Sequence, residues 1–154
     1  MAYESVYGSP KIVGHWYITL QDENGNIKQQ LSGKNVITTV GLGFLASFMY
    51  SAANAASTFT CKYVAIGTDA TAEAASNTAM GTEVARTTGT VSYVSNAVYR
   101  VTATFASGVG TGAIVEYGLF SSATAGTMFS RDTEAVVNKG ANDTLTVTTE
   151  VTVS

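Results

Sequence analysis

Residues 144–153 read Thr-Leu-Thr-Val-Thr-Thr-Glu-Val-Thr-Val, and their alternation decides the fold class. Leu145, Val147, Thr149, Val151 and Val153 alternate with Thr144, Thr146, Thr148, Glu150 and Thr152. Successive side chains of a β-strand point to opposite faces, so this period of two predicts one face on a core and a hydroxyl-rich face toward water. A second sheet or another subunit must cover the apolar face.

The same design recurs upstream. Residues 89–94, 98–105, 113–120, 127–131 and 143–153 are strand-like runs separated by Gly, Asn and Ser clusters. Residues 12–20 are rich in β-branched and aromatic side chains, and Asp22-Glu23-Asn24-Gly25 is a turn signal, so residues 26–31 are expected to return as the second strand of a hairpin. Residues 63–67 read as a short buried strand, 68–79 as a loop of small polar residues, and 83–86 as the lead into a further strand. Only residues 40–56 change period: Leu42, Leu45, Met49 and Ala53 recur at three and four residues beside Phe44 and Phe48, with Thr38 or Thr39 to cap the first turn. The expected fold is mainly β, an antiparallel β-sandwich or jelly-roll-like domain over residues 11–154 with one α-helix, preceded by a flexible arm at 1–10.

The chain has 154 residues, enough for one core without disulfide or metal staples. Only 12% of residues are charged, roughly half the usual share, and the net charge is −3. A surface of Ser, Thr, Asn and Gly suits close contact with neighbouring subunits, and points to a homo-oligomer or a larger assembly. The 8 basic residues are scattered and make no stripe for phosphates, so no nucleic-acid partner is expected. The first residues show neither a basic nor an apolar leader segment, and residues 40–50 fall short of the about 20 needed to span a bilayer. Synthesis and assembly in the cytoplasm, with no membrane partner, is the expectation.

Catalytic constellations are hard to assemble from these residues. His15 is the single histidine, on a predicted strand with no acid nearby in sequence, and Cys61 is the single cysteine. Asp22, Asn24 and Asn26 imitate the opening of a Ca²⁺ loop, but Ile27 replaces the bend glycine and Gly33 the closing glutamate. Gly108-Val109-Gly110-Thr111-Gly112 lacks the following helix of a phosphate loop and reads as a hairpin or contact loop. No spacing recommends Glu116, Glu134 and Glu150 as an acid–nucleophile pair, and Arg86, Arg100 and Arg131 are expected to serve them as ion-pair partners. The expectation is no enzyme, no cofactor and no metal.

Tyr63-Val64-Ala65-Ile66-Gly67-Thr68-Asp69, the run from Ala74 to Glu83, and Arg86 together resemble a pattern of small structural proteins of tailed bacteriophages. Glu116-Tyr117-Gly118-Leu119-Phe120, the run from Ala125 to Arg131, and Asp143 to Thr148 are similar to the second half of that group, and Asn35-Val36-Ile37-Thr38 with Gly41-Leu42 to its entry into the helix. Asp69 stands where the pattern has a second glycine, and Asn77 where it has aspartate. The likeness covers residues 34–154. It implies a virion structural protein: a head decoration (cement) protein on the capsid surface, clamping the major capsid protein, or alternatively a tail fibre or baseplate component. It also implies a fold-defining ion pair between Glu83 and Arg86, and Gly118 at a close backbone approach.

Candidate contact residues are Tyr3, Tyr7 and Pro10 of the arm, Trp16, and Gly108, Gly110 and Gly112. A rival from another class is a carbohydrate-binding β-sandwich with Trp16, Tyr17 and Tyr99 as its stacking platform.

Overall fold

The computed structural model describes residues 11–53, 60–95 and 98–154, with side chains described outside 48–53. The elements run β1 (Ile12–Gln21), β2 (Ile27–Ile37), α1 (Thr39–Ala53), β3 (Tyr63–Gly67), β4 (Glu83–Thr88), β5 (Thr90–Ser95), β6 (Val98–Phe105), β7 (Gly112–Phe120), β8 (Met128–Lys139) and β9 (Thr144–Val153). All pairings are antiparallel, in the order β4-β3-β7-β8-β2-β1-β9-β6-β5.

This one sheet curls into two facing halves. The halves are joined by β2, which pairs with β1 along most of its length but with β8 only at Val36↔Arg131 and Ile37↔Ser130. The two edges are joined as well, because β4 runs into β5 through Gly89 alone. The Gly89 amide donates to the Lys62 carbonyl at 2.7 Å, and a Cβ there would come 2.3 Å from Val101 Cγ1, so only glycine lets the strand turn so close to the core.

The core lies between the halves. Trp16, Ile18 and Leu20 of β1, Val101 and Phe105 of β6, and Leu145, Val147 and Val151 of β9 meet Val64 and Ile66 of β3, Ile114, Tyr117 and Leu119 of β7, and Phe129 and Val137 of β8. The alternation is realised from Thr144 to Thr152: Leu145, Val147, Thr149 and Val151 are buried while Thr146, Thr148 and Glu150 are partly exposed, and only Val153, at the strand end, leaves the core and is exposed. Mean-sized Val, Leu and Ile side chains contribute about 1.5–3 kcal/mol each on full burial, so this interior is the main stabiliser.

The Asp22–Asn26 turn forms as expected. Asp22 accepts hydrogen bonds from the backbone amides of Asn24 and Asn26 and from the Asn26 side chain at 2.8–2.9 Å, and Gly25 takes a φ of +83°. α1 begins at the predicted cap, where Thr38 Oγ1 accepts from the Gly41 amide at 3.0 Å and donates to the Met128 carbonyl at 2.6 Å. Gly41 is required there, since a Cβ would meet the Phe129 carbonyl oxygen at 2.3 Å.

Two strands run longer than the sequence pattern suggests. β2 continues to Ile37, and β8 continues past Arg131 to Lys139. The second half of β8 carries Asp132, Glu134 and Lys139 on or near the interior, and a register shift opposite Ile114/Glu116 breaks its alternation. Gly108, Gly110 and Gly112 do not lie in a hairpin, because β6 and β7 belong to different halves of the sheet and do not pair. Their segment is a crossover instead.

Candidate functional site

The outer face of β3, β7 and β8 carries the densest set of charged contacts. Glu116 and Arg131 point outward from neighbouring strands, opposite the inward Tyr117 and Asp132, and the loop of residues 68–82 lies over them. Arg131 Nε donates to Glu116 Oε1 at 2.8 Å, with the two side chains 2% and 0% exposed. The other guanidinium nitrogens reach into the loop: Nη1 to the Thr71 carbonyl at 3.0 Å and Asn77 Oδ1 at 3.2 Å, Nη2 to Asp69 Oδ2 at 3.3 Å. Glu116 in turn accepts from the Gly81 amide at 2.6 Å and the Thr82 amide at 3.2 Å. A buried pair is tolerable when its remaining donors and acceptors are satisfied in this way.

The loop also needs room. A Cβ on Gly67 would come 2.4 Å from Glu116 Oε2, one on Gly81 1.8 Å from Asp69 Oδ2, and one on Gly118 2.7 Å from Met80 Sδ. Gly118 is thus a close approach, but of the Met80 and Phe120 side chains and not of the backbone that the sequence suggested. Beneath the loop Ala65, Phe120 and Met128 form a second, smaller core with Tyr63 and Met80 against it.

Glu83 and Arg86 form the expected ion pair, bidentate at 3.0 and 2.6 Å. Arg86 does more than pair: its guanidinium lies 3.6 Å from the Phe120 ring centroid and Nη1 donates to the Ser122 and Ala125 carbonyls at 3.0 and 2.7 Å. It fastens the β7–β8 connection onto the rim of the small core. Of the residues that carry the resemblance, Asp69, Asn77, Gly81, Glu116 and Arg131 converge on the network that holds the loop and Gly67 and Gly118 leave it room, while Glu83 and Arg86 pair at the β7–β8 connection. Asp69 and Asn77, the two departures from the pattern, both bond Arg131.

Other sequence candidates disperse. Trp16 is fully buried and its ring lies 6.1 Å from that of Tyr117, so it offers neither an interface nor a stacking platform on the free subunit. Its strand neighbour Tyr17 points the opposite way and is 45% exposed. Tyr99 is half-buried, packs against the same core as Trp16 and donates to the Cys61 carbonyl at 2.7 Å, so only Tyr17 of the three lies on the outer face. Gly108 and Gly110 adopt φ of +78° and +65°, and a Cβ on Gly110 would meet Ile66 Cδ1 at 2.5 Å. Gly112 likewise has a positive φ, +149°. Packing and turn geometry account for these glycines, while Val109 between them stays exposed. Tyr3, Tyr7 and Pro10 lie outside the described residues.

Burial pushes the Cys61 thiol up to about 12, which keeps it protonated and unreactive at neutral pH. Asp132 is pushed up to about 7, chiefly by burial and then by the nearby Glu134 and Glu73 carboxylates. Among the described residues its Oδ2 has no hydrogen-bond partner, nor do the buried Tyr117 Oη, Ser130 Oγ, Thr149 Oγ1, Trp16 Nε1 and the Asn35 amide. Glycines make space for this polar end of the interior: a Cβ on Gly14 would overlap Asn35, and one on Gly33 would overlap the Glu134 carboxylate. Sequence spacing gave no sign of the cluster, because register across β1, β2, β7, β8 and β9 creates it. Among the described residues no group of three or more His, Cys, Asp and Glu is placed to hold a metal ion, and no helix is long and apolar enough to cross a membrane.

Two surfaces are left unusually apolar. α1 contains no charged residue, packs chiefly on β8, and leaves Val40 and Leu42 38% and 45% exposed. β5 is an edge strand, Thr-Val-Ser-Tyr-Val-Ser, exposed along its whole length and uncharged. The fold and its contacts define an antiparallel, sandwich-like β protein whose largest buried charge network holds its own loop in place. No protein-family model matches the chain, and no curated protein or solved structure matches it either.

Proposed function

We propose that this protein is a structural subunit that works by assembling with other chains, as a decoration protein on the outside of a phage head that stabilises contacts between major capsid subunits. The observation that carries the reading is α1. Surface helices ordinarily present a charged or strongly polar face to water. α1 has no charged residue in its 15 positions, and its exposed side between residues 39 and 47 is made of Thr39, Gly43, Ala46 and Ser47 with the large apolar side chains of Val40 and Leu42 flanking it. A neighbouring chain over that side would remove the apolar surface from water at about 25 cal/mol per Å².

The edge at β5 supports the same reading, since it carries no charged residue and no proline, and its one irregularity is a register shift between Tyr93 and Ser95 at its end. Exposed edges are commonly blunted by charge, proline or a bulge against pairing with other chains. The other edge, β4, has that protection in Glu83 and Arg86. The resemblance of residues 34–154 to tailed-phage structural proteins supplies the virion context and the capsid partner. Stabilisation would follow from mass action, since a chain that binds only the assembled shell shifts its equilibrium toward assembly.

Cryo-electron microscopy of the virions that would carry this chain tests the proposal. Density for the sandwich repeated over the head lattice, with α1 against the shell, is the expected result. Density confined to the tail would transfer the reading to a fibre or baseplate component, and absence from the particle would refute a virion role.

A further inference from the structure

The outward face of β2, β1, β9 and β6 is built in rows by the strand register. One row runs Ser32, Tyr17, Thr148, Thr102; the next runs Gln30, Thr19, Thr146, Thr104; the row on the other side runs Lys34, His15, Glu150, Arg100. Tyr17 thus has hydroxyls along its own row and on one side, and charged groups with the His15 ring on the other. Small residues on both sides of Tyr17 leave two troughs, one of about 510 Å³ bounded by Tyr17, Arg100, Thr102, Thr148 and Glu150, and one of about 250 Å³ bounded by Tyr17, Thr19, Gln30 and Ser32 with the flanks of Ile18 and Leu31.

The polar groups of the larger trough are held in place. Arg100 Nε donates to Glu150 Oε1 at 2.7 Å, Nη2 donates to the same oxygen, and Tyr17 Oη lies 3.4 Å from Glu150 Oε2. Thr102 and Thr148 share a hydrogen bond at 3.0 Å on the floor. Arg100 Nη1 has no protein partner among the described residues and remains free to donate.

We propose that this face is a binding site for a neutral oligosaccharide, lying across the strands with one sugar ring on each side of Tyr17. Three features select that ligand. The volume of the larger trough falls within the about 300–1,000 Å³ of small-ligand sites, but both troughs are shallow and open, which fits a chain segment rather than an enclosed ligand. Within the lining of the larger trough Arg100 is paired with Glu150, so that lining has no net positive charge to hold a phosphate or sulfate. The lining offers an aromatic face for the C–H face of a sugar, and hydroxyl, amide and carboxylate groups for its hydroxyls. This inference stands apart from α1 and β5, and its failure leaves the assembly proposal untouched.

The test uses the full chain and a panel of malto-, cello-, xylo-, manno- and chito-oligosaccharides, titrated by calorimetry and by two-dimensional NMR. Saturable binding of at least one of them, with a dissociation constant of about 1 mM or tighter, and shifts concentrated at Tyr17, Thr19, Gln30, Arg100, Thr102 and Thr148 are expected. Tyr17→Ala should weaken binding about tenfold with an unchanged melting temperature. Glu150→Gln, which keeps the shape and removes the charged acceptor, should weaken it as well. No binding across the panel, binding that Tyr17→Ala leaves unchanged, or shifts elsewhere on the molecule would each overturn the proposal.

Discussion

Replacing Asp132 by Asn should stabilise the protein at neutral pH, an outcome opposite to that of most buried substitutions. The Asp132 side chain is almost wholly buried on β8, and among the described residues its Oδ2 has no hydrogen-bond partner and no cation pairs with it. Its folded-state value is about 7 against 3.8 for the free side chain. Below 3.8 the carboxyl is protonated in both folded and unfolded chains and costs nothing. As pH rises toward 7 the unfolded chain releases the proton and the folded chain keeps it, so stability falls through that window and levels off above it. A shift of about three units at about 1.36 kcal/mol each sets a ceiling of about 4 kcal/mol. Part of the penalty comes from repulsion by Glu134 and Glu73, which can relax, so the expected gain is about 1–3 kcal/mol. Urea melts of both proteins at intervals from pH 4.5 to 8 measure it. The difference in unfolding free energy should be small at the acid end and grow in favour of the variant until it levels near pH 7. A variant less stable at pH 7.5, or a difference independent of pH, would refute the reasoning.

Three further outcomes follow from the same contacts. Arg131→Ala strands Glu116 as a buried charge and should cost about 3–5 kcal/mol, with proteolytic cleavage appearing first within residues 68–82; thermal melts and limited digestion read both effects. Gly118→Ala drives a methyl group into Met80 and Phe120 and should cost about 1–3 kcal/mol, partly restored by adding Met80→Ala, which gel-based denaturation can rank. Val40→Asp with Leu42→Asp should leave the melting temperature of the isolated chain within a few degrees while abolishing its association with partner chains, measured by sedimentation velocity; association unchanged by both charges would remove α1 from the interface.

Where a strand has one wet face and one dry face, its sequence announced it. β9, β3 and the β1–β2 turn are local statements, made by alternation, β-branching and Asp-Glu-Asn-Gly, and they fold as written. α1 and its Thr38 cap are of the same kind. The second half of β8 was illegible because Asp132, Glu134 and Lys139 turn toward the interior, against the rule that charge faces water, and only the facing strands show what they approach. Trp16 and Tyr17 stand side by side in one aromatic strand, and choosing which of them enters the core requires the register of β1 against β2 and β9. The Glu83–Arg86 pair spans three residues and was readable. The Arg131–Glu116 pair and its loop partners Asp69, Thr71 and Asn77 span up to 62 residues and depend on where the 68–82 segment lies on the sheet.

Gly89 makes the two rims of the sheet a single continuous piece of chain. A neighbour that binds along β5 and draws it outward would therefore load β4 directly, with one residue between them to absorb the motion. β4 is clamped through Arg86 to the Ser122 and Ala125 carbonyls and to the ring of Phe120. Strain applied along β5 would thus pass through one residue into β4 and, by way of Arg86, into the β7–β8 connection on the opposite half of the sheet.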